Sequence, residues 1–333
     1  MPPLVSVVIV TWNGLRFLPE CWAALRAQTY APIEVIVVDN GSTDGSGQWL
    51  AVQTPAPRVI VNAGNRGFAA ANNQGLAAAR GEYVALLNND AYPEPGWLAA
   101  LVAAAEADPG VGLLGGLLLF ADRPHIVQSA GICVDRCGIT WDAAGGELAA
   151  QQGDQPRPSF GPSAGAALYR RELLAALGGF DEAFFAYLED VDLAWRARRA
   201  GWRAVLVPSA RVKHVHSGTG RQGSALKTFY LARNKYRLLV KNYPWPYWVL
   251  SAPLIGLYDL LSLADSLLNQ RTLAGLRGRL AGLRGLGAAL RARRAAQAAA
   301  HTSGWAVLRL LAPAAAPWRV RRRYAHLERR ADG

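Results

Sequence analysis

A chain of 333 residues, 51% hydrophobic and 18% charged, has enough apolar material for a full core, which excludes a disordered, collagen-like or disulfide-stapled protein. Three cysteines, an odd number, make no disulfide framework and suit a reducing compartment. The formal charge of +12 is unevenly spread: residues 1–220 carry 16 basic against 20 acidic side chains, and residues 221–333 carry 20 against 4. This divides the chain into a near-neutral domain (1–220) and a basic tail (221–333).

In chain order, Met1 to Asn13 has neither a basic start nor a long apolar run, so no signal peptide is expected. The β-branched run Val5 to Val10 predicts a strand that ends at Thr11-Trp12-Asn13-Gly14, and Ile33 to Val38 predicts a second that ends at Asp39-Asn40-Gly41-Ser42. Arg58 to Val61 is a weaker third, and Tyr83 to Leu87 is a fourth that stops at Asn88-Asn89-Asp90. Leu15 to Ala27 and Phe68 to Ala79 have helical spacing between them. Strands alternating with helices read as a parallel sheet covered by helices. The repeated polar clusters then fall at the strands' carboxyl ends, where open α/β sheets bind ligands.

Beyond residue 110 the pattern loosens, with apolar runs at Val111 to Phe120 and Gly131 to Val134. The small-residue stretch Pro162 to Ala167 precedes a helix near Arg170 to Leu177. After the break at Gly178-Gly179 an aromatic run, Phe184-Phe185-Ala186-Tyr187, leads to three acids, Glu189, Asp190 and Asp192, at a helix start. The helix dipole favours carboxylates there, and aromatic walls desolvate a carboxylate enough to make it a useful base. A helix through Trp195 to Ala200 and a strand at Arg203 to Val207 follow, with His214 and His216 just beyond.

Together, Thr11-Trp12-Asn13-Gly14, Val38-Asp39-Asn40-Gly41-Ser42-Thr43-Asp44-Gly45-Ser46, Asn65-Arg66-Gly67-Phe68, Leu87-Asn88-Asn89-Asp90, Gly179-Phe180-Asp181-Glu182 and Tyr187-Leu188-Glu189-Asp190-Val191-Asp192 resemble the ordered signatures of the family 2 glycosyltransferases. The chain is most similar to bacterial rhamnosyltransferase-like enzymes of surface-polysaccharide synthesis. The resemblance implies glycosyltransferase fold A, a single mixed, mostly parallel sheet flanked by helices, and inverting transfer from a nucleotide-diphosphate sugar to a glycan or lipid-linked acceptor. It makes Asp190 the catalytic base with Glu189 beside it. It assigns Thr11, Asn13, Asp39, Asp44, Arg66, Asn89 and Asp90 to the nucleotide sugar, and Tyr187 and Asp192 to the acceptor. Asp90 and His214 would hold Mg²⁺ or Mn²⁺. The sequence departs from the family's two-acid form, because Asn88 and Asn89 leave Asp90 as the one carboxylate of that motif.

In the tail, Tyr247 to Leu268 is long enough to span a bilayer, but Asp259 would sit near its middle at a cost of roughly 2.5–3.5 kcal/mol, so a span is not expected. Asp259, Ser262, Ser266 and Asn269 instead form a polar stripe. Leu273, Leu276, Leu280, Leu283 and Leu290, flanked by Arg277, Arg279, Arg284, Arg291 and Arg293, read as an amphipathic segment for an anionic membrane surface. A second basic-aromatic cluster follows at Trp318 to Tyr324. The competing reading packs these helices on the domain or on a second copy, as a homo-oligomer. The expected location is the cytoplasmic face of the cell membrane, peripherally bound. Rival functions lack their marks: no Gly-x-Gly-x-x-Gly turn follows Val10, as an oxidoreductase needs, nor the Gly-rich, Arg-containing loop of a nucleotidyltransferase. No nucleic-acid module is visible, so no nucleic-acid partner is expected despite the charge.

Overall fold

The computed structural model describes residues 1–215 and 224–314. The first part alternates strand and helix: β1 (Val5–Thr11), α1 (Leu18–Arg26), β2 (Ile33–Asp39), α2 (Ser46–Ala51), β3 (Arg58–Val61), α3 (Gly67–Ala78) and β4 (Tyr83–Asn88). There follow β5 (Ala91–Pro93), α4 (Trp97–Glu106), β6 (Val111–Phe120), β7 (Arg123–Ser129), β8 (Ile132–Val134), β9 (Thr140–Asp142), β10 (Arg157–Pro158), β11 (Ala166–Arg170), α5 (Arg171–Leu177), α6 (Glu189–Arg199) and β12 (Arg203–His214). The C-terminal part is helical: α7 (Ala225–Asn242), α8 (Trp245–Leu268), α9 (Ala274–Arg284), α10 (Leu286–Ala298) and α11 (Gly304–Leu308).

Among the described residues the main sheet runs β10-β12-β6-β11-β4-β1-β2-β3, with β5 paired to β12 and β7 to β6. The pairs β1–β2, β1–β4, β2–β3 and β6–β12 are parallel, while β11 lies antiparallel between β4 and β6. This is the mixed, mostly parallel sheet that the sequence predicts. Alternation along each strand feeds two cores. Val5, Val7 and Ile9 of β1 meet α1 and α4 on one face, and Val8 joins α3, α5 and α6 on the other.

The differences from expectation have physical causes. The small-residue stretch after Pro162 ends in the strand β11, which lacks a β-branched run and forms because it is buried between two neighbours. Pro208 reads as the end of a strand at Val207. β12 instead continues to His214, taking up the proline in a register shift between Leu206 and Arg211.

The basic tail is not a separate layer. Leu238, Leu239 and Tyr243, with Val307 and Leu308, belong to the same core as Trp195 and Phe184. The Tyr243 ring stacks on Trp195 with centroids 4.5 Å apart. Beneath this contact is a buried ionic network. Lys241 Nζ of α7 donates to Asp192 Oδ2 (2.9 Å) and Asp181 Oδ2 (2.7 Å), Asn242 donates to Asp192 Oδ1, and Arg196 Nε donates to Asp192 Oδ2. Burial alone would raise the Asp192 pKa, but the charges of Lys241 and Arg196 outweigh it and hold the carboxyl well below the usual range. Its contribution to stability is therefore present above the ordinary carboxylate range and is lost as pH falls.

The glycines of α9 have a packing role. A Cβ on Gly278 would lie 2.4 Å from the Phe229 carbonyl oxygen of α7, so Gly278 and Gly282 let α9 approach α7 closely, while Gly275 makes room for Ser266 of α8. The leucines Leu273, Leu276, Leu280, Leu283 and Leu290 are exposed. Two of the arginines expected to reach lipid are used internally: Arg279 pairs with Asp259, and Arg293 donates to the carbonyls of Val240 and Tyr243. His216 and the cluster Trp318 to Tyr324 lie outside the described residues.

Removing one partner from a buried ion network leaves the others uncompensated, so Asp192→Ala should lower the unfolding free energy by about 3–5 kcal/mol in urea titrations. A loss below ~1 kcal/mol would show that the network does not fasten α7 to α6.

Candidate active site

A cleft of ≈ 660 Å³ opens along the carboxyl edge of β1 and β4. Its walls come from Trp12, Asn88 to Asp90, Gln128, Trp141 with Asp142, the turn Ser163 to Gly165, residues 185–191, and Lys227, Tyr230 and Leu231 of α7.

At one end the β4 terminus is held by its neighbours. Asn89 Nδ2 donates to Thr11 Oγ1 at 2.9 Å, and Gly14 leaves room for this contact, since a Cβ there would lie 1.9 Å from Asn89 Nδ2. Asp90 is buried with His214, its Oδ1 3.1 Å from His214 Nε2. The other ring nitrogen, Nδ1, is 2.9 Å from Gln128 Oε1. An amide oxygen only accepts, so Nδ1 carries a hydrogen, and Asn88 Nδ2, a donor, faces Nε2 at 3.3 Å. A ring lone pair and a carboxylate oxygen thus converge on one point, a donor pair suited to a divalent cation and oriented from behind by Gln128. Among the described residues no group of three or more His, Cys, Asp or Glu side chains is placed to hold a metal, so these two would need help from a ligand's own oxygens.

At the other end are Glu189 and Asp190. Asp190 accepts from the backbone N–H of Val191 (2.8 Å) and of Ala164 (3.3 Å), yet burial pushes its pKa up to about 6. Glu189 is only 6% exposed, and its Oε2 has no hydrogen-bond partner. Burial first, and the charge of Asp190 second, hold its carboxyl well above the usual range. Both neighbouring carboxyls are thus held above the usual range, Glu189 well above it and Asp190 at about 6.

The loop that carries them is strained. Phe185, Tyr187 and Leu188 all have positive φ (63°, 69° and 69°), a left-handed region that costs non-glycine residues of order 1–3 kcal/mol each. α7 holds the loop in this shape. Asn234 Nδ2 donates to the carbonyls of Phe184, Ala186 and Tyr187 at 2.9, 2.8 and 2.7 Å, and Phe185 stacks flat on Tyr230 with centroids 5.0 Å apart.

The cleft therefore gathers Asp90, Asn89, His214, Tyr187, Glu189 and Asp190. Asp192 is a correction: it is fully buried, both of its oxygens are taken by Arg196, Lys241 and Asn242, and it does not line the cleft, so it cannot meet an acceptor. Thr11, Asn13, Asp39, Asp44 and Arg66 stand beside the cleft and are not in its lining. Asn13 and Asp44 lace the β1 and β2 loops together: Asn13 Oδ1 accepts from Thr43 N, and Asp44 accepts from Leu15 N and Ser46. Asp39 is buried and accepts from Ser42 N, while Arg66 is exposed. Sequence reasoning missed Gln128, Trp141, Asp142, Lys227, Tyr230 and Asn234. The first three lie in the irregular region after residue 110, and the last three in what reads as a basic tail.

Comparison with known proteins bears on this geometry. Residues 6–178 match the family model described as "Glycosyl transferase family 2". The chain is 34% identical over 247 residues to the N-acetylglucosaminyl-diphospho-decaprenol L-rhamnosyltransferase of Mycobacterium tuberculosis (strain CDC 1551 / Oshkosh), covering 66% of this chain and 79% of that protein. It is 32% identical over 255 residues to the O-antigen biosynthesis protein RfbC of Myxococcus xanthus, covering 73% of this chain and 19% of that protein. Its fold is shared with the crystal structure of GalNAc-T7 with UDP, GalNAc and Mn²⁺, at a TM-score of 0.61 and 19% identity over 86% of this chain and 57% of that one.

Each of the Asn234 hydrogen bonds contributes about 0.5–1.5 kcal/mol. In Asn234→Ala, amide hydrogen exchange across residues 185–189 should rise by at least about tenfold while α7 stays protected. Unchanged exchange would mean that the loop holds its strained shape unaided.

Proposed function

The chain belongs to glycosyl transferase family 2, and we propose that it transfers rhamnose from a nucleoside-diphosphate donor to a lipid-linked glycan acceptor, with inversion at the anomeric carbon. Sugar transfer in polysaccharide synthesis follows from the family and from relatives of that kind. The choice of rhamnose and of a lipid-linked acceptor rests on the mycobacterial relative, which is named for both.

The observation that carries the mechanism is that Asp190, bonded to the N–H groups of Val191 and Ala164, and the buried Glu189 line the same cleft as the Asp90–His214 pair. The acceptor hydroxyl oxygen attacks the anomeric carbon, the bond from that carbon to the diphosphate oxygen breaks, and the hydroxyl proton passes to the Asp190 carboxylate. Glu189, buried beside it with Oε2 unpartnered, is placed to hydrogen-bond a substrate oxygen. Tyr187 and the stacked Phe185–Tyr230 pair offer a face for the acceptor sugar. On the donor side, Asp39 takes the nucleotide base, Thr11 fixes Asn89 beneath the diphosphate, and Asn13, Asp44 and Arg66 shape the loops around the nucleotide.

Asp90 and His214 are the residues that would hold Mg²⁺ or Mn²⁺. Bound there with the donor's phosphate oxygens, the ion would neutralise the charge that develops on the leaving diphosphate. Gln128 keeps the His214 lone pair aimed at that place.

We place the protein peripherally on the cytoplasmic face of the cell membrane. α8 is long and apolar enough to cross a membrane by length and composition, and none of its apolar window is buried. Asp259 faces inward to Arg279, Tyr236 and Lys235, and Leu250, Leu254, Leu257 and Leu261 are exposed beside the outward leucines and Arg277, Arg284 and Arg291 of α9 and α10. That arrangement suits an interface-lying helix pair on an anionic leaflet.

Asp190→Asn should cut turnover by roughly 10² to 10⁴ while nucleotide affinity stays within a few fold. The base acts only when ionised, so wild-type kcat/KM should fall about tenfold per pH unit below about 6 and level off above it. A variant that retains turnover, or a flat profile down to pH ~5, would remove Asp190 from the role. For the metal, calorimetry with Mn²⁺ and nucleoside diphosphate should show binding weakened at least about tenfold in Asp90→Ala. Equal affinity in that variant would remove the ion from this edge of the sheet.

A further inference from the structure

A second cavity, of ≈ 340 Å³, lies between α7 and α8, lined by Tyr236, Leu239, Trp248, Ala252, Ile255 and Gly256. The ionised groups at its wall are already paired with one another, Lys235 and Arg279 with Asp259, and Tyr236 donates to the same carboxylate. A polar ligand would find little there. The cavity suits an apolar one.

Its position relates it to the cleft. Lys227 and Leu231 line the cleft, and Lys235 and Leu239 line the cavity. These four residues are spaced four apart and form one ridge of α7, which winds about 120° around the helix as it runs from one chamber to the other over about 18 Å at 1.5 Å per residue. On its far side the cavity borders the exposed apolar surface of α8.

Gly256 lies at the exposed rim of the cavity. A glycine in a helix interior costs about 1 kcal/mol against alanine, and here a Cβ would meet nothing within 4 Å. No backbone approach or turn requires it. Its measurable consequence is empty space, one turn from the small side chain of Ala252.

We infer that this cavity binds the first segment of the acceptor's hydrocarbon chain, with the acceptor's polar head in the cleft. The inference rests on the lipid-linked acceptor proposed above and adds a site to it. The chain enters from the membrane side along α8, follows the α7 ridge, and leaves the sugar hydroxyl at Asp190.

The test is Gly256→Leu in the full chain, which sets a large side chain at the cavity mouth without a clash and replaces a poor helix former with a good one, so thermal stability holds or rises. Two acceptors with the same N-acetylglucosaminyl-diphosphate head are compared, one on decaprenol and one on a short, water-soluble alkyl chain. KM for the decaprenyl acceptor should rise at least about tenfold, as expected when a few methylene groups lose their burial. KM for the short-chain acceptor, kcat for both, and co-sedimentation with anionic vesicles should stay unchanged. An unchanged KM for a decaprenyl acceptor that the wild type uses would overturn the cavity assignment alone. If the wild type transfers sugar only to lipid-free glycans, the reading beneath it falls as well.

Discussion

Lys241 is buried between two aspartates, and much of the molecule depends on that placement. Its ammonium group bridges Asp181, ahead of the strained loop, and Asp192, in the first turn of α6. Two carboxylates flanking the Glu189–Asp190 pair are thereby tied to α7, a helix from the basic half of the chain. With Asn234 bonded to the loop carbonyls of Phe184, Ala186 and Tyr187, α7 fixes both the electrostatics and the shape of the segment that carries Glu189 and Asp190. The concentration of positive charge after residue 220 is therefore partly internal, because Arg237, Lys241 and Arg279 are each spent on a buried or half-buried carboxylate.

The same logic distributes charge across the cleft. Asp192 is held well below the usual carboxylate range by cations and serves the fold, burial raises Asp190 to about 6, and burial with the charge of Asp190 holds Glu189 well above the usual range. Three acids within four residues thus have three different protonation behaviours, set by their neighbours. In the same cleft the single carboxylate Asp90 stands beside His214, whose ring is oriented by Gln128.

Much of this was legible in the sequence. The parallel strands were visible because β-branched runs buried on both faces have no other comfortable home, and the polar clusters after them marked the ligand edge. The run at residues 187–192 marked the acids, but spacing could not tell which faced the cleft. Asp192 sits two residues from Asp190, on a different side of the helix, and only the position of Lys241 reveals that it is structural. The contribution of α7 was hidden for the same reason: its asparagine and lysine are ordinary surface residues until the tertiary fold buries them. The packing of α9 was hidden too, because only the fold shows that Gly278 and Gly282 face α7 and Gly275 faces α8.

The account joins a base on one strained loop to a leaving group at one sheet edge, and its central claim is a single displacement at the anomeric carbon. The most direct test is the anomeric configuration of the product, read by proton NMR from the coupling at C1 after transfer by the purified full chain. The account predicts a product linkage of opposite configuration to the donor's. Retention would contradict it, because two displacements need a nucleophile on the other face of the sugar, a role that Asp190 as base does not fill.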